Sequence, residues 1–258
     1  MNNYVTNMRA SDGNIVKLEC HDSLPSTSRL IKEYAKINYP DRYVVFADER
    51  KRTSEKGKTE IEHGVFMSIL LRPSIFPSQA GLLPALSTVA FATALEEHTE
   101  KSIGIGWVSE IYCDGKSIGR VNLEGKLDNF ASYEYLIITF SAVMSKKDFP
   151  PRMTDLIKTV FEEDKAPVSL VIAKNILNKF FKLYADLKSP SKFMDTYSKK
   201  FVLRGKGAKL VIDGKRQRCK ILGINTQSCA LVIENSKKKA VEISTSNKVI
   251  IPKKVKIK

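Results

Sequence analysis

Two segments have residue types that could bind phosphate groups. A Gly-Lys-Thr sequence at 57–59 resembles the end of a P-loop, but that motif needs a glycine five residues before its Gly-Lys pair, and this position is Arg52. A Gly-x-Gly pair at 104–106 begins a dinucleotide-binding pattern, and Ser109 occupies the place of its third glycine. A G-x-S-x-G nucleophile elbow is also absent from the sequence. Neither segment therefore predicts a standard nucleotide loop.

The cysteines and histidines are too scattered to predict a metal centre. The histidines, His21, His63 and His98, lack a second ligand at helical spacing. No C-x-x-C spacing occurs, so we expect reduced, mostly buried thiols rather than a zinc site, a redox pair or a disulfide framework. These thiols belong to Cys20, Cys113, Cys219 and Cys229.

The formal net charge of +15 is concentrated at the C-terminal end of the chain. Residues 201–258 contain 15 Lys and Arg against 3 Asp and Glu, whereas residues 1–200 contain 28 against 25. Such a field could attract nucleic acid or an acidic protein, or could simply be a solvated basic face. No apolar run approaches the roughly 18 residues that span a bilayer. The N-terminus also lacks the apolar core of a secretion signal, so we expect a cytoplasmic protein without a membrane partner.

The first part of the chain predicts alternating strands and helices. Residues 1–14 are expected to be a flexible tail, and a helix should begin at Ser26 or Thr27, either of which can cap it. The polar stretch 48–62 is predicted to be a charged loop between strands. Runs rich in branched and aromatic residues predict those strands at 15–19, 43–47 and 64–73.

Further along, residues 78–98 are apolar almost all round and predict a central, buried helix. Residues 103–125 predict two or three strands, with a tight turn at 114–115 where an Asp-Gly pair permits positive φ. A further strand is predicted at 133–144. Helical periodicity then predicts helices at 150–163 and 167–188.

The pattern changes again near residue 200. A second Asp-Gly turn at 213–214 and short branched runs predict five or so strands with no helix. We therefore predict two domains, one over residues 15–200 and a small, strongly basic β-barrel over residues 201–258. In that barrel the run Lys237–Lys239 is expected to be a solvated hairpin tip.

Taken in order, these segments resemble the biotin protein ligases, in the short form without the N-terminal DNA-binding domain. Ser26-Thr27 before a helix is similar to the family's Ser-Thr-Asn opening. WVSEIY and CDGKSIGRVNLEG are similar to its Trp-Pro-Asn-Asp-hydrophobic-Tyr and Gly-Lys-Lys-Ile-Ala-Gly segments. The strand GVFMSILLRP and the hairpins over 207–233 also match, so the resemblance covers about residues 15–252.

The resemblance implies an α+β fold, with a class II synthetase-like biotin/lipoate ligase catalytic domain, a mixed sheet packed with helices, followed by an SH3-like β-barrel. Lipoate ligases share the catalytic fold but match the C-terminal part less well. The implied reaction joins biotin to the α-phosphate of ATP and passes the biotinyl group to a lysine of a carrier protein. Biotin, ATP and magnesium would then be required.

The resemblance also locates a candidate site and its departures from the family pattern. Lys56, Gly57 and Lys58, after Glu55, occupy the place of a Gly-Arg-Gly-Arg loop, so one glycine has become a carboxylate. Three further residues differ from the family pattern. Ser117 replaces the catalytic lysine, Arg120 replaces a glycine that approaches biotin, and Val143 replaces an asparagine.

Lys116 precedes the lysine position by one residue, and it could replace that lysine only if a β-bulge shifts its side chain to the other face. Arg120 should intrude on the biotin cavity or project a charge into it. Trp107 and Ser26-Thr27 also have simpler explanations, as a core residue and a helix cap. The candidate ligand-binding residues are Ser26, Thr27, Ser28, Arg52, Lys56, Gly57, Lys58, Trp107, Glu110, Ser117 and Arg120.

Three functional hypotheses remain open. The first is a degenerate, pseudoenzyme-like relative that binds another ligand or regulates, and the second is a divergent active ligase. In either case the expected partners are a biotin carboxyl carrier-type or other acidic protein and a second copy of the chain in a homodimer. The third is sequence-independent nucleic-acid binding through the basic barrel. Its candidate contacts are Lys206, Lys209, Lys215, Arg216, Arg218 and Lys220.

Overall fold

A computed structural model of the chain describes residues 3–53, 59–145, 169–212, 215–244 and 248–250. The helices in these ranges are α1 (Thr27–Lys36), α2 (Pro77–Ala80), α3 (Leu83–Glu96), α4 (Ser169–Ala185) and α5 (Ser191–Lys200). The first strands are β1 (Tyr4–Arg9), β2 (Ile15–Leu24), β3 (Tyr43–Thr53), β4 (Thr59–Leu71), β5 (Ile103–Ile105), β6 (Glu110–Cys113), β7 (Lys116–Leu127) and β8 (Tyr133–Ser145). The last are β9 (Gly207–Ile212), β10 (Lys215–Ile224), β11 (Leu231–Glu234), β12 (Ala240–Ile243) and β13 (Lys248–Ile250).

The first eight strands form one mixed sheet in the order β1-β2-β3-β4-β8-β7-β6-β5. Strands β2 and β3 are parallel, and the other neighbours are antiparallel. The parallel pair needs a crossover, which α1 provides. The predicted strand followed by a helix is confirmed here. This sheet with its helices confirms the predicted α+β class.

The sheet has helices on both faces. On one face, Ile31 and Ala35 of α1 pack against Tyr43, Leu70 and Ile137 in a small apolar cluster. On the other face, α3 contacts strands β5, β6 and β7 as well as helices α4 and α5, which explains why nearly all its side chains are buried. The prediction of a central, buried helix is therefore confirmed, although it begins at Leu83 and a short separate helix, α2, precedes it.

The predicted flexible tail over residues 1–14 is wrong for Tyr4–Arg9, which form the edge strand β1. Every residue of β1 is paired with β2, from Tyr4 opposite Cys20 to Arg9 opposite Ile15. Its side chains are exposed or half-buried. Backbone pairing holds this strand along its whole length, and Met8 packs against the core, so the strand has no regular hydrophobic pattern that would reveal it.

The predicted loop over residues 48–62 is also wrong for most of its length. Strand β3 continues to Thr53 and β4 already begins at Thr59, with Arg50 paired opposite Glu62. These two charged side chains form an ion pair at the edge of the core, and this contact stabilises the pairing of the two strands. The predicted helix at 150–163 lies outside the described residues.

The C-terminal strands form a second, antiparallel sheet in the order β12-β11-β10-β9-β13. Leu210, Ile221 and Leu231 lie in its buried interior. The run Lys237–Lys239 is exposed in the turn between β11 and β12, as predicted. The Asp-Gly turn at 213–214 lies outside the described residues, while closure into an SH3-like barrel and a domain boundary near residue 200 stay predictions.

All four cysteines are free thiols and buried, which confirms that prediction. Burial raises the pKa of the Cys229 thiol to about 12, so this group stays protonated. Among the described residues, no helix is both long enough and apolar enough to cross a membrane.

Candidate functional site

A small cavity of about 150 Å³ lies where the N-terminal end of α1 meets the sheet. The three serine and threonine side chains predicted for ligand binding, Ser26, Thr27 and Ser28, form one wall, and Arg120 and Asn122 of β7 form another. Ligand pockets of proteins usually measure about 300–1,000 Å³. The cavity is therefore smaller than an ordinary pocket and its walls are rich in polar groups.

Helix α1 begins at this cavity because its N-cap is well made. The Ser26 Oγ accepts a hydrogen bond from the backbone N–H of Arg29 at 3.2 Å and lies 3.0 Å from the Ser28 Oγ. The first-turn N–H groups of a helix carry partial positive charge. The α1 end of the cavity therefore favours an anionic group.

A chain of three hydroxyl groups anchors the first turn of α1 to the sheet. The Thr27 Oγ1 lies 2.8 Å from the Ser68 Oγ, which lies 2.9 Å from the Thr139 Oγ1. Ser68 and Thr27 are buried. We call these residues the hydroxyl chain, and its satisfied hydrogen bonds fix the wall of the cavity.

Arg50 of β3 lines the same cavity and is firmly held. Its Nε donates to the Glu62 Oε2 at 2.6 Å, its Nη2 makes a second close contact with that oxygen, and its Nη1 donates to the Ser141 Oγ at 3.1 Å. The guanidinium also lies over the Phe66 ring, 4.6 Å from the centroid. Glu62 is buried, so most of the charge of Arg50 is compensated within the protein.

Arg120 is the second cation of the cavity wall and is exposed. Unlike that of Arg50, its guanidinium group forms no hydrogen bond or ion pair with any residue in the described ranges. Its backbone neighbour across the sheet, Glu110, instead accepts a hydrogen bond from the Tyr112 hydroxyl at 2.8 Å. Arg120 therefore lines this cavity with no charged partner among the described residues, and its intrusion on a biotin cavity stays a prediction.

A bulge in β7 determines which of Lys116 and Ser117 shares a face with Arg120. On β6, residue 110 lies opposite Arg120 and residue 112 lies opposite Ser117. Between these two pairs β7 has one residue more than β6, so residue 118 has no partner on β6. Residues 110 and 112 alternate along β6 and therefore point to the same face of the sheet, and each shares this face with the residue directly opposite it. Ser117 therefore lies on the same face as Arg120. Lys116 pairs one residue further along β6 and falls on the other face. The bulge therefore keeps Lys116 away from the face that it would need to reach.

Trp107 belongs to the core rather than to the cavity. Its side chain is buried and its indole Nε1 donates to the backbone carbonyl of Cys229 in the C-terminal part at 3.2 Å. The Tyr197 hydroxyl lies 2.9 Å from the carbonyls of both Gly106 and Val108, which fixes the neighbouring backbone. These contacts agree with the packing interpretation of this tryptophan.

The predicted site residues are brought together only in part. Ser26, Thr27, Ser28 and Arg120 line one cavity, whereas Trp107, Glu110 and Ser117 do not line it. Arg52 belongs to β3, and Lys56, Gly57 and Lys58 lie outside the described residues. Ligand binding by these last four residues stays a prediction.

Sequence reasoning missed several residues of the wall. Arg50 falls within the stretch 48–62 that the sequence predicts as a loop, and it reaches the cavity because this stretch is part of strand β3. Asn122 follows Arg120 by two residues on the same strand, and this spacing could have identified it. Ser141 had no signal of its own in the sequence.

The donor groups of the cavity suit an anion better than a metal ion. No carboxylate is among the described residues of its wall, and in the described ranges no three His, Cys, Asp or Glu side chains form a cluster that could hold a metal. Magnesium prefers carboxylate and phosphate oxygens. The residues of the wall therefore do not fit a protein-held magnesium ion.

Comparisons with known proteins agree with this architecture. No protein-family model matches the chain. The chain is 27% identical over 172 residues to the bifunctional ligase/repressor BirA of Bacillus subtilis, which covers 64% of this chain and 53% of that protein. The protein of the same name from Bacillus spizizenii is 25% identical over 171 residues, with the same coverage. The chain thus spans about half the length of these curated relatives.

The structural similarity extends over most of the chain. The biotin protein ligase of Aquifex aeolicus in complex with biotin and ATP superposes with a TM-score of 0.69 at 20% identity, covering 91% of this chain and 99% of that one. A biotin protein ligase-like protein of unknown function from a Silicibacter species gives 0.62 at 13% identity, covering 89% and 94%. The chain has the biotin protein ligase fold.

Proposed function

We propose that this chain, which has the biotin protein ligase fold, is a ligand-binding relative of the ligases that takes a small anion and does not form biotinyl-adenylate. One observation carries the proposal: Arg120, without an ion-pair partner among the described residues, lines the cavity at a position where the family pattern has a glycine. An arginine side chain both fills space and demands a negative partner.

The charge distribution around the cavity supports an anionic ligand. The N-terminal end of α1 and Arg120 both favour negative charge, while the charge of Arg50 is largely compensated by Glu62. A small carboxylate or phosphate could accept hydrogen bonds from Arg120 and from the Ser26 and Ser28 hydroxyl groups. A cavity of about 150 Å³ suits such a ligand better than a bicyclic one with a long side chain.

The chemistry of adenylation supports the same conclusion. Developing negative charge on a phosphate in the transition state requires a positioned cation, which the family supplies as a lysine. The corresponding position is Ser117, whose neutral hydroxyl cannot provide that charge. The strand pairing puts Lys116 on the face opposite to Ser117, which supports the proposal that it does not replace the lysine.

The alternative is a divergent active ligase, and two observations favour it. The cavity wall remains cationic, and the relatives similar in sequence are described as ligases. In this alternative Arg120 would bind the phosphate or carboxylate of an adenylate, and a lysine of a carrier protein would accept the acyl group. We also propose that the C-terminal sheet closes as the SH3-like barrel that accompanies this fold.

Calorimetry on the whole chain tests the proposal. Titration with acetate or inorganic phosphate should give saturable heat that Arg120→Gly abolishes, while biotin and synthetic biotinyl-adenylate should give none. The paired change Arg120→Gly with Ser117→Lys should restore biotin binding if Arg120 fills the biotin cavity. Saturable binding of biotin to the unaltered chain, without binding of either small anion, would contradict the proposal.

The two functions also differ in what Lys116→Ala should do. An active ligase that used Lys116 would lose biotin-dependent release of pyrophosphate in this variant. Under our proposal the small-anion titration is unchanged by Lys116→Ala, because that side chain is on the other face of the sheet. Loss of anion binding in Lys116→Ala with a preserved fold would show that the assignment of faces is wrong.

A further inference from the structure

A second cationic surface lies on the C-terminal sheet, away from the cavity. Strands β9 and β10 pair so that Arg218 lies directly opposite Lys209, and Arg216 and Lys220 lie two residues to either side of Arg218. All four side chains are exposed, and of the two residues that alternate with them along β10, Cys219 is buried and Gln217 is exposed. Lys209, Arg216, Arg218 and Lys220 therefore share one face of the sheet, and we call them the basic surface.

The four cations of the basic surface lack the ion-pair partners that several other lysines of the protein have. Lys126 forms an ion pair with Glu134 at 2.6 Å, and Lys179 forms one with Glu97. No member of the basic surface forms an ion pair with any residue in the described ranges, although the backbone of Glu234 lies opposite Lys220. Like charges directly opposite on a sheet repel each other. An external anion would remove that repulsion.

The arrangement of these cations suits a repeating anion. Successive side chains on one face of a strand are about 7 Å apart, so Arg216, Arg218 and Lys220 form a row along β10. Arginine side chains can donate two hydrogen bonds to one phosphate. A row of this kind matches a polymer that carries one charge at each step better than it matches a single small ion.

The surroundings of the row distinguish between polymeric anions. No Phe, Trp or Tyr occurs after Phe201, so this part of the chain offers no ring on which an unpaired base could stack. Acidic protein partners usually also need buried apolar anchors. In the described part of this sheet, Val241 is the one large apolar side chain that is well exposed.

We propose that the basic surface binds the phosphodiester backbone of double-stranded nucleic acid without reading its bases. This binding is independent of the cavity and of the small-anion function. Each phosphate that the protein neutralises releases counterions, so the logarithm of the binding constant falls linearly with the logarithm of salt concentration. With four cations in contact, the slope expected for duplex DNA is about −4.

Fluorescence anisotropy of the full chain with short labelled DNA and RNA duplexes of arbitrary sequence tests this. Arg216→Gln with Arg218→Gln should weaken binding and make the slope shallower by about 2. The matched control is Lys182→Gln with Lys188→Gln, which removes the same charge from exposed lysines on and just after α4. The control should leave the slope unchanged. Near-UV circular dichroism confirms that both variants remain folded.

Several outcomes would overturn the proposal. One is no binding to either duplex at near-physiological salt, and another is an equal loss of binding in the control variant, which would make net charge the cause. Tighter binding to single strands would show that bases rather than the duplex backbone are recognised. Competition by poly-glutamate as strong as that by duplex would identify the partner as an acidic protein. Binding to DNA, RNA or both duplexes supports the proposal and shows which is the ligand.

Discussion

Glu62→Gln is expected to destabilise the protein and, at the same time, to increase the affinity of the cavity for an anion. Glu62 is the buried partner of Arg50, with side chains that are 9% and 28% exposed. The amide has nearly the same shape as the carboxylate but carries no charge. Arg50 would then face the cavity with its positive charge uncompensated.

The magnitude follows from the contacts. Two donors of Arg50, Nε at 2.6 Å and Nη2, reach the Glu62 Oε2. A hydrogen bond between charged groups contributes about 1 kcal/mol more than a neutral one, so two of them give a loss of about 2 kcal/mol in the free energy of unfolding. For a protein of this size that corresponds to a fall in Tm of about 4–8 °C.

Thermal unfolding and phosphate titration together measure both effects. The matched control is Glu124→Gln, which breaks the 2.9 Å pair between Glu124 and Lys32 where both side chains are about half exposed. That exposed pair is screened by solvent, so the control should leave Tm unchanged within experimental error. If Glu62→Gln lowers Tm no more than the control does, or weakens phosphate binding, then Glu62 does not compensate Arg50 and the reasoning is refuted.

Three other changes test separate parts of the structure. Ser68→Ala interrupts the hydroxyl chain and should lower the free energy of unfolding, measured by urea denaturation, by about 1–3 kcal/mol. An unchanged free energy of unfolding would mean that the hydroxyl chain is not formed. Trp107→Phe removes the donor to the Cys229 carbonyl and should lower the free energy of unfolding by about 1–2 kcal/mol. An unaltered midpoint of urea denaturation would contradict that contact. Burial opposes ionisation of Asp12, but the hydrogen bond and charge of Arg42 together with the hydrogen bonds from Asn14 outweigh it and lower the carboxyl pKa. This group therefore stabilises the fold above its unfolded pKa of about 3.9, and the contribution is lost as pH falls through the lower folded value. Asp12→Asn should therefore flatten the acid side of the stability profile, and an identical profile would show that the pair does not contribute.

Local chemistry made much of the fold predictable. The turn at 114–115 has φ of 45° and 77°, and an Asp-Gly pair is among the few that adopt such values readily. Ser26 caps α1 as its hydroxyl suggested, and the apolar run of α3 is buried on all sides. In each case one short stretch of sequence determines the structure.

The parts that could not be predicted depend on partners distant in sequence. Strand β1 is held by backbone pairing with β2, which leaves no apolar pattern. The extensions of β3 and β4 carry charges because Arg50 and Glu62 compensate each other, a pairing that appears only when the two strands are set in register. The bulge at residue 118 decides the faces of Lys116 and Ser117, and bulges arise from the ladder of two strands together.

The most direct test of the central claim is an assay of pyrophosphate release by the unaltered full chain with biotin, ATP and magnesium, in the presence of an acceptor carrier protein. Because Arg120 lies in the cavity wall and a serine occupies the lysine position, we predict no release above the rate without biotin. Release that depends on biotin would contradict the account and establish the chain as an active ligase.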